Sequence, residues 1–512
     1  MKVVTLLLDT LRYDFMGFNS NHWITPNMDR LAASSIVFDK AYLGSYPCMP
    51  ARRDLWTGKF EFPFRGWGPL EHDDEDLAKV LTTHKRPRTP PLVGNLVGRS
   101  DTADEPRLTS MLITDHYHLW ERGSGNYHFD FSGYEFIRGQ EYDKWKVEPG
   151  GSPNPVEGRQ VGHLPSGYFE LNQLNVKFRE TERDYFPAML MTRAADWVEK
   201  NRERENFFLL IDCFDPHEPF DPPQHYVDMY DSDYEGEEIV WPTYGWNRLT
   251  ERETEHVRAL YAGELTMTDR WVGYLLDKLE QLQLMDDTMI ILATDHGYML
   301  GEHGLMGKPW SAIADSNMYE EVSHVPLVIY HPELQRPGRR ISDLVQLVDL
   351  YPTILEAFEI ESPAGIHGKS LMPYVLGEGN GYRAREVACY GRFGEALNIT
   401  DGEWTLFIWP PSEENGPLYW YSQLPPQSQY GAFRVVGPKN PRLSHDRWSV
   451  ACARGEMPTQ LFNVKHDPRQ LDDQAIKHPE IVEHLKRCAV QFLQSIEAPP
   501  EQLERLGLAN LS

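Results

Sequence analysis

Residues 2–9 read Lys2-Val3-Val4-Thr5-Leu6-Leu7-Leu8-Asp9, a short apolar run that ends on a carboxylate. Val3–Leu8 has the length and near-continuous apolar character of a buried strand. Four further runs of this kind follow: Met111–Thr114, Phe207–Cys213, Met289–Thr294 and Pro326–Tyr330. Helical patterns separate them. Thr25-Pro26 supplies an N-cap and a proline for the first turn of a helix running through Leu31 and Ala32. Val257, Leu260, Tyr261, Leu265, Val272, Leu275, Leu276 and Leu279 recur near a 3.6-residue period and predict a long helix. The alternation implies an α/β fold, a large, mostly parallel mixed sheet flanked by helices on both faces. In such folds sites gather at the carboxyl ends of the strands.

At 512 residues the chain exceeds what one compact core accommodates. We expect a large unit over residues 1–375 and a smaller C-terminal α+β subdomain over 376–512. A helix opens at Asp349-Leu350-Tyr351-Pro352 and ends near Phe358, and the Gly/Pro-rich stretch Pro363–Gly381 marks the boundary. Beyond it come strand-like runs at Val387–Tyr390 and Trp404–Trp409, a Pro/Ser/Gln-rich loop at Leu424–Gln429, and a helix at Pro479–Ser495. Thr82–Arg107 is rich in Pro, Arg, Thr and Gly, shows no periodicity, and reads as a surface loop.

Composition narrows the function classes. The net charge is −27, which repels nucleic acid and anionic membranes, so neither is expected as a partner. An anionic substrate then needs a local cationic pocket. The apolar start is too short for a signal segment and carries no cleavage motif, and no run approaches the ~18 apolar residues of a membrane span, so a cytoplasmic location is expected. The five cysteines, Cys48, Cys213, Cys389, Cys452 and Cys488, are widely spaced and form no CxxC pair, which argues against a disulfide framework or a thiolate zinc site. Cys213 reads as a core residue.

Four constellations carry chemistry. In Cys48-Met49-Pro50-Ala51-Arg52, the proline suits a helix start and places Arg52 about one turn beyond Cys48. Asp9 ends the first strand, and Asp295-His296-Gly297 follows another, so two carboxylates and one imidazole fall at strand ends, a set suited to a divalent cation. His217, in Pro216-His217-Glu218-Pro219, and His118, in Asp115-His116-Tyr117-His118, each follow a strand. Lys308 closes Gly304-Leu305-Met306-Gly307-Lys308. For each group taken alone, a cap, a turn or a core role is the simpler reading; together they describe a site.

With these residues the chain resembles the sulfatase family of the alkaline-phosphatase superfamily, over nearly its whole length. The resemblance rests on Asp9-Thr10-Leu11-Arg12, Thr25-Pro26-Asn27-Met28-Asp29-Arg30-Leu31, Cys48-x-Pro50-x-Arg52 with Thr57-Gly58, and His217-x-Pro219. It continues through Thr294-Asp295-His296-Gly297, Gly301-Glu302-His303-Gly304, Val348-Asp349-Leu350-Tyr351-Pro352-Thr353, and Leu461-Phe462-Asn463 with Asp467-Pro468. It implies a sulfuric ester hydrolase in which a maturation enzyme converts Cys48 to formylglycine. The hydrated aldehyde presents two hydroxyls. Arg52 would hold the modified residue. Asp9, Asp295, His296 and residue 48 would bind one divalent metal, commonly calcium. Lys308 and His217 would bind the sulfate, one of them acting as general acid. His118 would take a proton from the remaining hydroxyl as sulfate leaves. A serine at position 48 would be stranded as its sulfate ester, with no second hydroxyl to expel it.

The chain departs from the family pattern at three places. Thr10 stands where many members carry a second Asp, His296 where many carry Asn, and His116, a further substrate-binding candidate, where many carry Lys. An imidazole ligand suits manganese or zinc as well as calcium. The combination also resembles phosphonate monoester and phosphodiester hydrolases of the same superfamily, which is the alternative activity. A reading of another class is a catalytically silent anion-binding protein with unmodified Cys48. The substrate is expected to be a small-molecule or carbohydrate sulfate ester. Recognition would fall to Tyr127–Tyr134, Pro222–Trp246, and Tyr419, Trp420 and Tyr421.

Overall fold

The structure is a computed structural model of the chain. It describes residues 1–83, 108–121, 123–147, 159–161, 168–308, 316–377, 381–412, 414–423, 433–435, 447–452 and 457–511. Most of the Thr82–Arg107 segment and all of Leu424–Gln429 lie outside these residues; Thr82 and Thr83 end a short helix that begins at Leu77.

Eight strands form the main sheet: β1 (Lys2–Leu8), β2 (Ile36–Tyr42), β3 (Thr109–Thr114), β4 (Gly133–Phe136), β5 (Phe207–Cys213), β6 (Thr288–Ala293), β7 (Leu327–Tyr330) and β8 (Arg339–Gln346). Their order is β8-β2-β7-β6-β1-β5-β3-β4. All pairings are parallel except those of β7, which runs against both β6 and β2. The Pro326–Tyr330 run is therefore the antiparallel member of an otherwise parallel sheet.

Alternation along β1 shows why the sheet is covered on both sides. Val3 and Leu7 pack into one core with Met49, Leu55 and Trp56. Val4, Leu6 and Leu8 pack into the other with Met28, Leu31 and Leu265. Those residues belong to three helices, α1 (Pro26–Ala33), α2 (Cys48–Thr57) and α4 (Glu251–Gln281), with α3 (Phe186–Asn201) packed beside α4. Thr250 opens α4 with a capping box to Glu253. Every residue of α2 is buried, Arg52, Arg53 and Asp54 included, so this helix is threaded through the core.

α5 (Leu350–Ala357) starts where the sequence places it. The stretch after it is not a bare linker. Lys369 N donates to Asp349 Oδ1 at 2.8 Å and Leu371 N to Thr353 Oγ1 at 2.8 Å, so the buried residue before α5 and one within it fasten the segment down. Beyond it, β9 (Ala388–Gly391), β10 (Leu397–Thr400), β11 (Trp404–Ile408) and β12 (Gln460–Asn463) make a separate four-stranded antiparallel sheet. α6 (Pro479–Ser495) covers it with Leu485, Ala489, Val490 and Leu493. Reciprocal backbone bonds between Gly44 or Tyr46 and Gly391, 3.0 and 3.1 Å, join this sheet to the segment leading into α2. Among the described residues no helix is long and apolar enough to cross a membrane.

Candidate active site

Four neighbouring strands, β6-β1-β5-β3, point their carboxyl ends at one region. Asp9 directly follows β1, Asp295 and His296 follow β6, His217 follows β5, and His116 and His118 follow β3. Cys48 is the first residue of α2, and Lys308 follows the short strand Leu305–Gly307. Cys48 Sγ lies 3.2 Å from His296 Nε2 and 3.4 Å from Lys308 Nζ, so the sulfur sits between two chemically different groups of side chains.

One group is anionic. The Arg52 guanidinium lies 2.9 Å from Asp9 Oδ2 and 2.6 Å from Asp295 Oδ2, and binds Asp212 through two bonds of 3.1 and 2.7 Å. Its contact with residue 48 is to the backbone carbonyl, at 3.4 Å. Three buried carboxylates thus share one guanidinium, leaving negative charge that a further cation would offset. At Asp9, burial and the neighbouring Asp295 push the carboxyl well above its usual range. At Asp295, burial acts the same way, but His296 and Arg52 outweigh it and hold the group low.

These residues fit a divalent metal. One ligand atom each from Asp9, Cys48, Asp295 and His296 lies within 4.8 Å of the others. Asp9 Oδ1 is buried without a hydrogen-bond partner, while Oδ2 meets Arg52 and His116. His296 Nδ1–H donates to the Gly297 carbonyl at 2.8 Å, which leaves the Nε2 lone pair facing the cluster, the usual posture of a ligating histidine. The backbone is tight here. Thr10 holds φ at 57°, an uncommon conformation for a β-branched residue, pinned by Thr10 N donating to Asp295 Oδ1 at 3.1 Å and by the Tyr261 hydroxyl on its carbonyl at 2.8 Å. A Cβ at Gly297 would collide with the Glu321 carbonyl, which accounts for the glycine after His296.

The second group is cationic and imidazole-rich. Lys308 Nζ contacts His217 Nε2 directly. His217 Nδ1–H donates to the Glu218 carbonyl at 2.7 Å, so Nε2 accepts from the ammonium. Burial and Lys308 push His217 well below its usual range. Burial works against the Lys308 charge too, but Cys48, Glu218 and Asp9 outweigh it and keep the ammonium protonated. His116 Nε2 is 3.2 Å from Asp9 Oδ2; burial and Arg52 push the ring well down, so it is neutral. His118 lies a ring away, 5.2 Å from His116 between centroids, with Nδ1 2.5 Å from Glu121 Oε2. Burial lowers His118 against the pull of Glu121.

All nine sequence candidates therefore sit at this end of the sheet, with His118 joined through His116. Sequence reasoning missed four acidic neighbours. Asp212 is the one charge inside an apolar strand, a signal that was readable. Glu218 adjoins His217, while Glu121 and Glu141 carried no pattern at all. Two recognition candidates fall elsewhere. Tyr127 is buried, its ring edge-on to Trp56, and Trp420 is buried against Phe393. Phe129, Tyr134 and Trp246 remain exposed.

A sequence model of the Sulfatase family matches residues 2–360. The multifunctional alkaline phosphatase superfamily protein PehA of Trinickia caryophylli is 28% identical over 392 residues, 69% of this chain and 72% of that protein. An arylsulfatase of Clostridium perfringens is 24% identical over 402 residues, 72% of this chain and 77% of that one. The crystal structure of a phosphonate monoester hydrolase of Agrobacterium radiobacter shares the fold, with a TM-score of 0.66 at 17% identity over 97% of this chain and 96% of that one. The chain belongs to the sulfatase family, within the alkaline-phosphatase superfamily, and its enzyme class is that of the sulfuric ester hydrolases.

Proposed function

We propose that the protein hydrolyses a sulfate ester to an alcohol and inorganic sulfate, with Cys48 converted to formylglycine and one divalent metal held by Asp9, residue 48, Asp295 and His296. The observation that carries this reading is the place of the Cys48 sulfur, between His296 on the anionic side and Lys308 on the cationic side. It marks where the aldehyde-derived hydroxyls would stand. Formylglycine supplies, when hydrated, one hydroxyl for attack and a second through which it is regenerated; the metal supplies positive charge that favours the attacking oxygen. Calcium is the first expectation, and His296 suits manganese or zinc as well.

The residues of this chain do the rest. Arg52 holds Asp9 and Asp295 in register and anchors the first turn of α2. Lys308 and His217 receive the sulfate oxygens and supply one proton to the departing alcohol. His116 stands as a substrate-side donor. His118, with Glu121 behind it, takes the proton from the remaining hydroxyl. In this reading residues 1–375 form the catalytic unit and 376–512 a C-terminal subdomain, and a maturation enzyme is the required partner. The substrate is a small-molecule or carbohydrate sulfate ester.

The test uses protein co-expressed with a formylglycine-generating enzyme. Conversion of the thiol to the aldehyde removes about 18 Da, one sulfur exchanged for oxygen with two hydrogens lost. Intact mass of the peptide carrying residue 48, metal analysis, and turnover of an aryl sulfate should all be positive. An unmodified thiol after co-expression would favour the silent anion-binding alternative.

One observation favours a second activity. The imidazole of His296 stands in the ligand set with its tautomer fixed, a feature by which the sequence resembles phosphonate monoester and phosphodiester hydrolases. Turnover of a phenyl phosphonate far better than of an aryl sulfate would reverse the order of the two.

A further inference from the structure

Behind His217, on the side away from Lys308, stand two buried carboxyl groups that the proposed reaction does not use. Glu218 Oε2 lies 3.3 Å and Glu141 Oε1 3.6 Å from His217 Nδ1, and the Glu218 carbonyl accepts its hydrogen. Each carboxyl is held from its other oxygen by a phenol: Tyr117 donates to Glu141 Oε2 at 2.5 Å, and Tyr244 donates to Glu218 Oε1. Glu141 comes from a different part of the chain, the loop after β4, and is forced into place. Its φ is 39°, a left-handed value that a glutamate seldom adopts. Gln140 pins the loop by donating to Asp115 Oδ2 at 3.0 Å and Asp215 Oδ2 at 2.7 Å, and Asp143 accepts from Gly139 N at 3.0 Å. Strain of this kind persists where the surroundings fix it and is concentrated at working sites.

The three side chains lie close enough together to suggest a second metal centre. The hydrogen-bond pattern argues against that. Nδ1 carries a hydrogen, and the ammonium of Lys308 occupies the approach to Nε2. The cluster is built to surround a proton-bearing ring.

We propose that Glu141 and Glu218 are positioning residues for the leaving-group acid, holding the His217–Lys308 couple so that it delivers a proton to the departing alcohol oxygen. This rests on the reading of that couple as the acid. As the attacking oxygen of hydrated residue 48 bonds to sulfur, the S–O bond to the alcohol breaks and its electron pair stays on the alcohol oxygen. One proton passes from the couple to that oxygen, and the couple becomes one positive charge poorer. The carboxyls sit on the Nδ1 side, where they fix the orientation of the ring without reaching the substrate. The other charged or titratable groups facing the couple include Asp9, Cys48, His296, His116 and His118 on the substrate side, and Tyr298 beside Glu218. Burial pushes Glu218 up to about 7 and Glu141 well above its ordinary range, so the pair also holds protons near the ring at neutral pH.

The arrangement has a consequence for the substrate. A phenolate, whose parent acid titrates near about 10, departs readily without a proton, whereas an alkoxide, whose parent alcohol is about as weak an acid as water at about 16, does not. A carefully supported acid therefore fits esters of unactivated alcohols, such as sugar or alkyl hydroxyls.

The experiment compares matured wild type with Glu141→Gln and Glu218→Gln on phenyl sulfates of graded leaving-group acidity and on an alkyl sulfate. Thermal melts and metal content confirm folded, loaded enzyme. We expect kcat/KM to fall about 30-fold or more on the alkyl sulfate and about 3-fold or less on 4-nitrophenyl sulfate, the signature of lost acid catalysis. Equal losses on both esters would overturn the inference. If Glu218→Gln fails to fold, Glu141→Gln carries the comparison from its separate loop. Wild type alone gives a variant-free check: a shallow dependence on leaving-group acidity is expected, and a steep one overturns the inference. A matured wild type inactive on every sulfate overturns the proposed function itself.

Discussion

The two sides of Cys48 are built on different principles. The anionic side, Asp9, Asp212, Asp295 and Arg52, stands on or directly after the central strands β1, β5 and β6 and on a fully buried helix. Its geometry is set by the sheet itself. The cationic side, Lys308, His217, Glu141 and Glu218, comes from turns and loops, one of them strained. Its geometry is set by side-chain bonds between loops. The first side concentrates charge that a bound cation would balance. The second arranges hydrogens around one ring. A fault on the first side should therefore appear as lost folding and lost metal, and a fault on the second as lost chemistry.

The central residue gives the largest effect. Cys48→Ser replaces the thiol that maturation would oxidise to formylglycine, and in protein whose serine stays unoxidised we expect kcat to fall on the order of 10⁴-fold or more, as for loss of a nucleophile. Melting temperature should stay close to wild type, since a hydroxyl replaces a thiol of similar size. Next comes the anionic side. Arg52→Leu leaves three buried carboxylates with no guanidinium and should cost about 3–5 kcal/mol in urea unfolding. Lys308→Ala should lower kcat/KM on the order of 10²–10³-fold, with a urea midpoint near that of wild type. If the two variants lose stability equally, the contrast between the sides fails. Stripping the cation with a chelator should lower stability by about 2.7 kcal/mol where the metal had been present at a hundred times its Kd. Asp9→Asn should blunt that difference, and calorimetric titration of the apo protein with metal reads it directly.

The same contrast governs what the sequence revealed. The sheet was legible because parallel strands buried on both faces are apolar throughout. Phe207–Cys213 and the helix Pro479–Ser495 appear with the boundaries the pattern gave. The residues of the anionic side could be placed because they adjoin those runs: once a strand end is located, the residue after it is a candidate. Asp212 was passed over because a single charge in an apolar strand looks like an exception to burial, and its partner Arg52 is 160 positions away. Glu141 had no signal at all. Its role depends on a backbone conformation and on Gln140 bridging two other turns, neither of which leaves a local periodicity. Tyr127 and Trp420 were misread for the opposite reason, since an aromatic at the surface and one in the core look alike in sequence.

The smallest expected effect separates the two sides by the sign of a pH dependence. Glu218 keeps its proton up to about 7 in the folded protein, against an ordinary value of 4.5. Between those values the folded state binds more protons than the unfolded one, so stability falls as pH rises from about 4.5 toward 7. The contribution is fully present below the lower value and lost above the higher. From pH 5 to 7.5, unfolding free energy should therefore decline by on the order of 1–3 kcal/mol from this group. Glu218→Gln, which cannot ionise, should flatten that decline while leaving the low-pH stability almost unchanged. A depressed carboxylate such as Asp295 acts in the opposite sense, losing its contribution only as pH falls. Urea titrations of wild type and Glu218→Gln at several pH values measure the difference. An unchanged slope in the variant would mean that the loop-built side carries its protons elsewhere, and that its charge is set by Glu141 alone.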